Sequence, residues 1–187
     1  MAETFICAKI NDKVQPFDRW KIYADPLQEW LETNHFGTIT GGGTFLEETG
    51  EIAAADLEIC LDEKYANREL FTALVKFLEE RGAPKGSELI LDETEENIPF
   101  GIREGFALYL NGVDLDPEIY EQCSFEDVVE EIEKLTGISS ESYRVWHGPS
   151  ETAIYLYSTS FDKIQECLKE FLANYPLCKL SRISRVA

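Results

Sequence analysis

The apolar side chains in the first half of the chain switch between strand spacing and helix spacing. Residues 52–61 alternate apolar and polar side chains in their second half, which predicts a β-strand. Residues 68–81 place apolar side chains at intervals of three and four, which predicts a helix that ends at a following glycine and proline. A short strand is predicted at 88–91. The acidic, turn-rich residues 92–99 interrupt the pattern and indicate a domain boundary.

The second half of the chain repeats this order. Alternation at 151–157 predicts a strand, helical spacing at 161–175 predicts a helix, and 178–186 is predicted to be a last strand. The apolar positions of the two helices correspond one to one, with Leu70, Leu74, Phe77 and Leu78 matching Ile164, Leu168, Phe171 and Leu172. The preceding strands also match if the loop at 62–67 is longer than its counterpart. The two halves are therefore predicted to be an internal repeat.

A further strand, helix and strand precede each of these blocks. They are predicted at 20–23, 26–34 and 37–47 in the first half, and at 105–110, 125–136 and 142–147 in the second. Ser124, followed three residues later by Asp127, is typical of a capping box at the start of a helix. Residues 4–10 also suit a strand, so either 4–10 or 20–23 is the first strand of the repeat, and the other is an added edge strand.

These elements predict the same fold for both halves. Each half has the order β-α-β-β-α-β, the split βαβ arrangement of the ferredoxin-like fold. The chain is therefore expected to be an α+β protein, a tandem pseudo-repeat of two ferredoxin-like halves with antiparallel sheets. The expected domains are residues 1–97, including the candidate extra N-terminal strand, and residues 98–187. Because this architecture serves many functions, it does not indicate which one this protein has.

The composition favours a folded, acidic protein and argues against two classes of partner. The 187 residues include 36 Asp and Glu against 17 Lys and Arg, for a net charge of −19, and 44% of them are hydrophobic. This apolar content supports a packed core. Nucleic acids and anionic membranes both require basic clusters, so neither is an expected partner. A net charge of about 2 to 8 in magnitude is enough for solubility, and the excess favours a basic protein partner.

Cysteine usage and the start of the chain predict a cytoplasmic location. The five cysteines are an odd number at wide spacings, without a C-x-x-C pair, and most lie in apolar segments. They are therefore predicted to be reduced and buried, and no disulfide scaffold, metal site or cofactor is expected. The first residues lack the pattern of a secretory signal, and no apolar run has the length of a membrane helix.

Two residues beside a predicted hairpin turn are the candidates for catalysis. His147 and Glu151 flank Gly-Pro-Ser, and a base near a hydroxyl and a carboxylate would provide the groups of a hydrolytic triad. The alternative is a structural turn, because the members of a triad are normally brought together from distant parts of a chain. The sequence favours the structural alternative.

Three consecutive glycines, Gly41, Gly42 and Gly43, form the most unusual local motif. Their backbone N–H groups could cradle a phosphate or a carboxylate. A Walker loop would need a lysine and a following helix, whereas a strand is predicted here. Glycines within a strand more often mark a β-bulge or the close approach of another backbone. The bulge is the favoured explanation, and a ligand site is the alternative.

Aromatic side chains are predicted along one face of the second sheet. Tyr155 and Tyr157 alternate on the same strand face as Ala153, and Trp146 shares a face with Arg144 on the preceding strand. The opposite face is expected to cover the helices. The aromatic face is expected either to pack inside the molecule or to form an exposed binding platform, with internal packing favoured.

Three functions are compatible with these features, in descending order of expectation. The first is a non-enzymatic module that docks on a basic protein, as an inhibitor or an immunity protein does. The second is a small-ligand or sensory domain with a site between the two halves, lined by Gly41–Gly43 or by the turn at Trp146 and His147. The third is an enzyme that uses His147 and Glu151.

Overall fold

Two antiparallel sheets, one in each half of the chain, organise the fold. The computed structural model describes residues 2–91 and 96–187. The chain divides into two compact units, Met1–Arg103 and Glu104–Ala187. The predicted division falls between residues 97 and 98. The first unit extends further because Glu96–Phe100 forms a strand that pairs with its sheet.

In its described residues, the first unit combines six strands with three α-helices. Its strands are β1 (Glu3–Ile10), β2 (Gly37–Gly41), β3 (Thr44–Leu46), β4 (Ile52–Asp62), β5 (Ser87–Leu91) and β6 (Glu96–Phe100). Helix α1 (Pro16–Arg19) continues through a π-helical turn at Trp20–Ala24 into α2 (Asp25–Thr33), and α3 (Arg68–Glu80) follows a short 3₁₀ turn at Glu63–Tyr65. The strand order is β2-β4-β1-β5-β6, and β3 also pairs with β4.

The second unit has four strands and three helices. The strands are β7 (Glu104–Asn111), β8 (Arg144–His147), β9 (Glu151–Ser158) and β10 (Arg182–Arg185). The helices are α4 (Pro117–Gln122), α5 (Phe125–Thr136) and α6 (Phe161–Asn174), with 3₁₀ turns at Ser140–Ser142 and Pro176–Cys178. The strand order is β10-β7-β9-β8.

The strand orders confirm the predicted ferredoxin-like fold in both units. The first and third strands of the βαββαβ order lie in the centre of each sheet, and the second and fourth flank them. In the first unit β2 and β3 share the second position, and β6 is an additional edge strand. The pairings between these strands are antiparallel. The protein is therefore a tandem α+β protein with two antiparallel sheets.

The first strand is Glu3–Ile10, and the predicted strand at 20–23 is wrong. Residues Trp20–Ala24 form a π-helical turn instead. One cause is a set of buried side chains spaced four residues apart, wider than the 3.6-residue helical repeat, at Arg19, Tyr23, Leu27 and Leu31. A second cause is Pro26, which has no N–H to bond the carbonyl four residues earlier.

Two other predicted strands differ from the structure in extent. The strand predicted at 37–47 is divided into β2 and β3, because the pairing with β4 is irregular there. The strand predicted at 178–186 is limited to β10. Leu177 and Cys178 are buried in the 3₁₀ turn before it, and Leu180 has a φ of 64°, which an extended strand does not allow.

Each unit has its own apolar core between its sheet and its helices. In the first core, fully buried side chains of the central strands pack against α2 and α3, including Ile6, Leu57, Leu27 and Leu74. In the second core, the inward faces of β7 and β9 pack against α5 and α6, with Leu108, Ile154, Ile132 and Leu168 fully or almost fully buried. Complete burial of such a side chain contributes about 1.5–3 kcal/mol.

The predicted capping box at the start of α5 is confirmed. The Asp127 N–H donates to Ser124 Oγ over 3.0 Å, and the Ser124 N–H donates to Asp127 Oδ2 over 3.4 Å. Gly137, with a φ of 69°, ends the helix in the left-handed conformation that glycine favours. Signals at both ends explain why the predicted bounds of this helix agree with the structure.

Candidate functional site

The three glycines lie where β2 gives way to β3. The register with β4 shifts between Ile39 and Gly41. A side chain at Gly42 would overlap the backbone carbonyl oxygen of Asp56 on β4. The close approach of these two backbones requires glycine, which accounts for the motif as a β-bulge. A ligand-binding role for Gly41, Gly42 and Gly43 stays a prediction.

Gly43 is held from two sides by charged side chains. Its N–H donates to Oδ1 of Asp56, and its carbonyl oxygen accepts from Nη1 of Arg19. Arg19 is buried, and its Nη1 also lies 3.4 Å from Oγ1 of Thr44. The glycine loop is therefore fixed between α1 and β4, and the Asp56 carboxylate is fixed with it.

A cavity of about 570 Å³ opens beside this loop, on the face of the first sheet that points away from the helices. Strands β1, β3, β4 and β5 contribute its main side chains, which are Cys7, Lys9, Phe45, Ala54, Asp56 and Ile90. Sequence reasoning missed this site. Its charged residues lie on different strands, and only the pairing of β1 with β4 brings them together.

The predicted aromatic face of the second sheet is largely buried. Tyr155 and Tyr109 are 1% and 4% exposed, and their rings meet edge to face with centroids 6.1 Å apart. Trp146 and Tyr157 are half-buried around them. A side chain at Gly148 would overlap the Trp146 ring unless that ring moved. Binding roles for Trp146, Tyr155 and Tyr157 stay predictions.

His147 lies exposed at the end of β8. Its Nδ1 is 3.3 Å from Oγ1 of Thr152, the residue opposite it on β9, and its ring centroid is 6.0 Å from that of Phe125. Within the described part of the chain, the His147 ring has no hydrogen bond to Ser150 or Glu151. A catalytic role for His147 therefore stays a prediction without the hydrogen bonds that a triad requires.

Glu151 forms an ion pair with the last strand. Its two carboxylate oxygens accept from Nε and Nη2 of Arg182 over 2.9 and 2.8 Å. Hydrogen bonding to this guanidinium lowers the pKa of Glu151 below its usual range. The Arg182 guanidinium also lies 3.4 Å from the centre of the Tyr109 ring. These contacts give Glu151 a structural role that connects β9 to β10.

An acidic groove runs between α5 and α6. The groove has a volume of about 410 Å³. We define it by its lining residues, which are Asp127, Glu130, Glu131, Lys134, Phe171 and Tyr175. The four α5 residues follow the spacing of one helical face. The α6 residues form a stacked pair, with ring centroids 5.1 Å apart and an interplanar angle of 29°. Sequence reasoning did not find the groove, because only helix packing shows that these two faces meet.

The charges and hydroxyls of the acidic groove are partly engaged with one another. Lys134 Nζ lies 2.8 Å from Glu131 Oε2, and the Tyr175 hydroxyl donates to Asp127 Oδ2 over 3.1 Å. Burial, together with the neighbouring Asp127 and Cys123, raises the pKa of Tyr175 above its usual range. Tyr175 thus remains a neutral hydrogen-bond donor, and the groove keeps a net negative charge.

Neither a cluster of metal ligands nor a membrane-spanning helix is present in the described residues. Among residues 2–91 and 96–187, no group of three or more His, Cys, Asp or Glu side chains is arranged to hold a metal ion. No helix in the same ranges has the length and apolar character needed to cross a membrane. The five cysteines are not joined in disulfides; Cys60 and Cys178 are buried as predicted, whereas Cys167 is exposed.

Neither a protein family model nor a curated protein sequence matches the chain. Among solved structures, the chain is similar to an unknown protein from Galdieria sulphuraria, at 9% identity, a TM-score of 0.28 and coverage of 98% of each chain. It is also similar to the acetolactate synthase small subunit from Thermotoga maritima, at 11% identity, a TM-score of 0.26 and coverage of 99% of this chain and 93% of that one. A third similar structure contains the first two RRM domains of the yeast poly(U)-binding protein, at 14% identity, a TM-score of 0.25 and coverage of 97% and 99%. These similarities carry no functional inference.

Proposed function

We propose that the protein is a cytoplasmic, non-enzymatic module that binds a basic protein partner through the acidic groove. Such a module would act as an inhibitor or an immunity protein does, by covering a positively charged surface. The observation that supports the proposal most directly is the groove itself, in which one acidic face of α5 lies beside a stacked aromatic pair on α6.

The charge around the groove supports a cationic occupant. Residues 116–136 contain eight acidic side chains and one basic side chain. Glu130 is exposed and makes no ion pair within the described residues, so its carboxylate is available to an ammonium or guanidinium group. A negative field of this extent also speeds the encounter with a basic surface and disfavours acidic partners.

The aromatic pair supports an arginine or lysine side chain in particular. Phe171 and Tyr175 offer ring surface beside the carboxylates, and cations are stabilised over aromatic rings when they are partly removed from water. An arginine can stack on a ring and donate to a carboxylate at the same time. A partner segment with one well-placed arginine therefore fits the groove better than a diffuse basic surface.

Affinity capture from an extract of the source organism, with matched variants, tests this function. The wild-type chain is compared with Glu130→Gln/Glu131→Gln in the groove and with Glu47→Gln/Glu48→Gln, an exposed pair in the first unit. Both variants remove two negative charges. We expect a basic protein to be retained by the wild type and by the Glu47/Glu48 variant, and to be lost with the groove variant.

Salt dependence provides the second measurement. Binding of the captured protein should weaken by about tenfold or more between 50 and 300 mM NaCl, because screening shortens the range of charge attraction. Equal retention by both variants would show that the groove is not the binding site. Absence of any basic partner, or binding that ignores salt, would contradict the proposed function.

A further inference from the structure

We propose that the cavity on the outer face of the first sheet binds a small zwitterion with an apolar substituent, which is the chemistry of a free α-amino acid. The proposal concerns the first unit alone and does not depend on the acidic groove. It assigns the carboxylate of the ligand to Lys9, its ammonium group to Asp56, and its side chain to the apolar wall of the cavity.

The two charged residues face each other across neighbouring strands. Lys9 on β1 pairs directly with Asp56 on β4 in the antiparallel register. Side chains at such positions start about 5 Å apart, so a ligand that carries both charges on neighbouring atoms can reach both. Within residues 2–91 and 96–187, Lys9 makes no ion pair, either with Asp56 or with Glu88 on its other side. Its ammonium group is therefore available to a ligand carboxylate.

Asp56 is oriented before any ligand binds. Oδ1 accepts from the Gly43 N–H, and Oδ2 lies 3.9 Å from the Cys7 thiol, which is a weak donor. One oxygen thus holds the carboxylate in place, while the other keeps acceptor capacity for an ammonium group. A carboxylate that is already fixed loses little conformational freedom on binding.

The remaining lining selects the apolar part of the ligand. Phe45 and Ile90 provide walls, and Ala54 leaves room above the strand floor. A purely anionic ligand would be repelled by Asp56 and Glu88 and by the net charge of −19. A purely cationic ligand would be repelled by Lys9. A zwitterion satisfies both charges, and its apolar group removes ring and aliphatic surface from water.

Calorimetric titration of the full chain with three matched probes tests this assignment. The probes are L-phenylalanine, N-acetyl-L-phenylalanine, which lacks the ammonium charge, and 2-phenylethylamine, which lacks the carboxylate; L-leucine serves as a second zwitterion. We expect a zwitterion to bind at least about tenfold more tightly than the two analogues, because each analogue loses one charge-assisted hydrogen bond.

Variants then assign each charge to its residue. Lys9→Met should weaken L-phenylalanine by about tenfold and should not weaken 2-phenylethylamine, because the lost ammonium group attracts the carboxylate and repels the amine. Asp56→Asn, which keeps an oxygen for the Gly43 N–H, should weaken both amines. Lys76→Met, at an exposed position on α3, is the control and should change nothing.

Several results would overturn the assignment. They are the absence of L-phenylalanine and L-leucine binding at millimolar concentration, equal binding of 2-phenylethylamine and L-phenylalanine, or equal losses in the Lys9 and Lys76 variants. The groove variant Glu130→Gln/Glu131→Gln should bind the zwitterion as the wild type does. Failure of one proposal is therefore distinguishable from failure of the other.

Discussion

Asp56 contacts the glycine motif with both its backbone and its side chain. Its carbonyl oxygen leaves no room for a side chain at Gly42, and its carboxylate accepts the Gly43 N–H. A side chain would therefore meet a different kind of obstacle at each of these two positions. At Gly42 the obstacle is backbone, whereas a side chain at Gly43 would meet only the Asp56 carboxylate, 3.1 Å away, which can move.

The first prediction follows from this difference between backbone and side-chain obstacles. Gly42→Ala should lower the free energy of unfolding by about 1–3 kcal/mol, because the strands must separate to admit the methyl group. Gly43→Ala is the matched control and should cost clearly less. Urea unfolding followed by circular dichroism measures both. Equal losses in the two variants would mean that backbone approach is not the reason for the motif.

Among the elements, β10 shows how a short edge strand is held in a sheet. Arg182 donates two hydrogen bonds to Glu151. Arg185 forms two ion pairs, with Nη1 3.1 Å from Glu104 Oε2 and Nη2 3.1 Å from Asp162 Oδ1. The guanidinium of Arg185 also lies 4.3 Å from the centre of the Phe161 ring. Charge pairs and ring contacts thus supplement the few backbone hydrogen bonds that four residues can make.

The second prediction concerns the pH dependence of this attachment. The pKa of Glu151 is lowered in the folded state, so its contribution is complete above the pKa of the unfolded chain, near 4.3, and is lost as the pH falls through the lower folded value. Glu151→Gln should lower the free energy of unfolding by about 0.5–1 kcal/mol at pH 7, because the pair is partly exposed and screened.

Urea unfolding at pH 7 and at pH 3 checks this second prediction. At pH 3 the difference between the wild type and Glu151→Gln should be smaller than at pH 7, because the contribution of the ion pair decreases as the pH falls below the pKa of the unfolded chain. Glu166→Gln is the control, because Glu166 lies 3.7 Å from Lys169 in a highly exposed pair that should contribute little. An equal loss in the two variants at pH 7 would contradict a special role for Glu151.

Elements with local end signals could be predicted, and those decided by packing could not. The start of α5 could be predicted because Ser124 and Asp127 have the spacing of a capping box, and in the structure Gly137 ends the same helix. At Trp20–Ala24 the sequence predicted a strand instead, because the segment is mostly apolar and the helix after it was predicted to begin at Pro26. Burial of Tyr23 in the first core and of Arg19 beside Gly43 decides the conformation, and both depend on residues distant in the sequence.

The candidate sites follow the same rule. Gly41–Gly43 could be noticed because the signal is contiguous, and the favoured bulge explanation agrees with the register shift. The acidic groove needed the contact of α5 with α6, and the cavity needed the pairing of β1 with β4. His147 and Glu151 were noticed because they are neighbours in sequence, but in the structure each bonds to another residue, Thr152 or Arg182.

At the scale of the whole molecule, charge is the dominant property. A net charge of −19 on 187 residues creates repulsion that folding concentrates into a smaller volume. Close ion pairs offset only part of it, because acidic side chains outnumber basic ones by about two to one. Screening by salt should therefore act on the stability of the fold as well as on the binding of a basic partner.

The third prediction is that moderate salt stabilises the fold. Raising NaCl from 20 to 300 mM should increase Tm by several degrees at pH 7, because the screening length falls below the distance between many like charges. Scanning calorimetry measures the shift. Near pH 4.4, the pI of the sequence, the shift should be much smaller, since the net charge is then close to zero. A Tm that falls with salt at pH 7 would contradict the prediction.

The position of β10 at the margin of the second sheet has a consequence for behaviour at high concentration. An edge strand offers unpaired N–H and C=O groups to any other strand, and short edge strands with charged side chains resist such pairing. Arg182 and Arg185 place bulky cations at both ends of β10. The side chains that hold the last strand in its own sheet therefore also protect the protein against sheet-to-sheet aggregation.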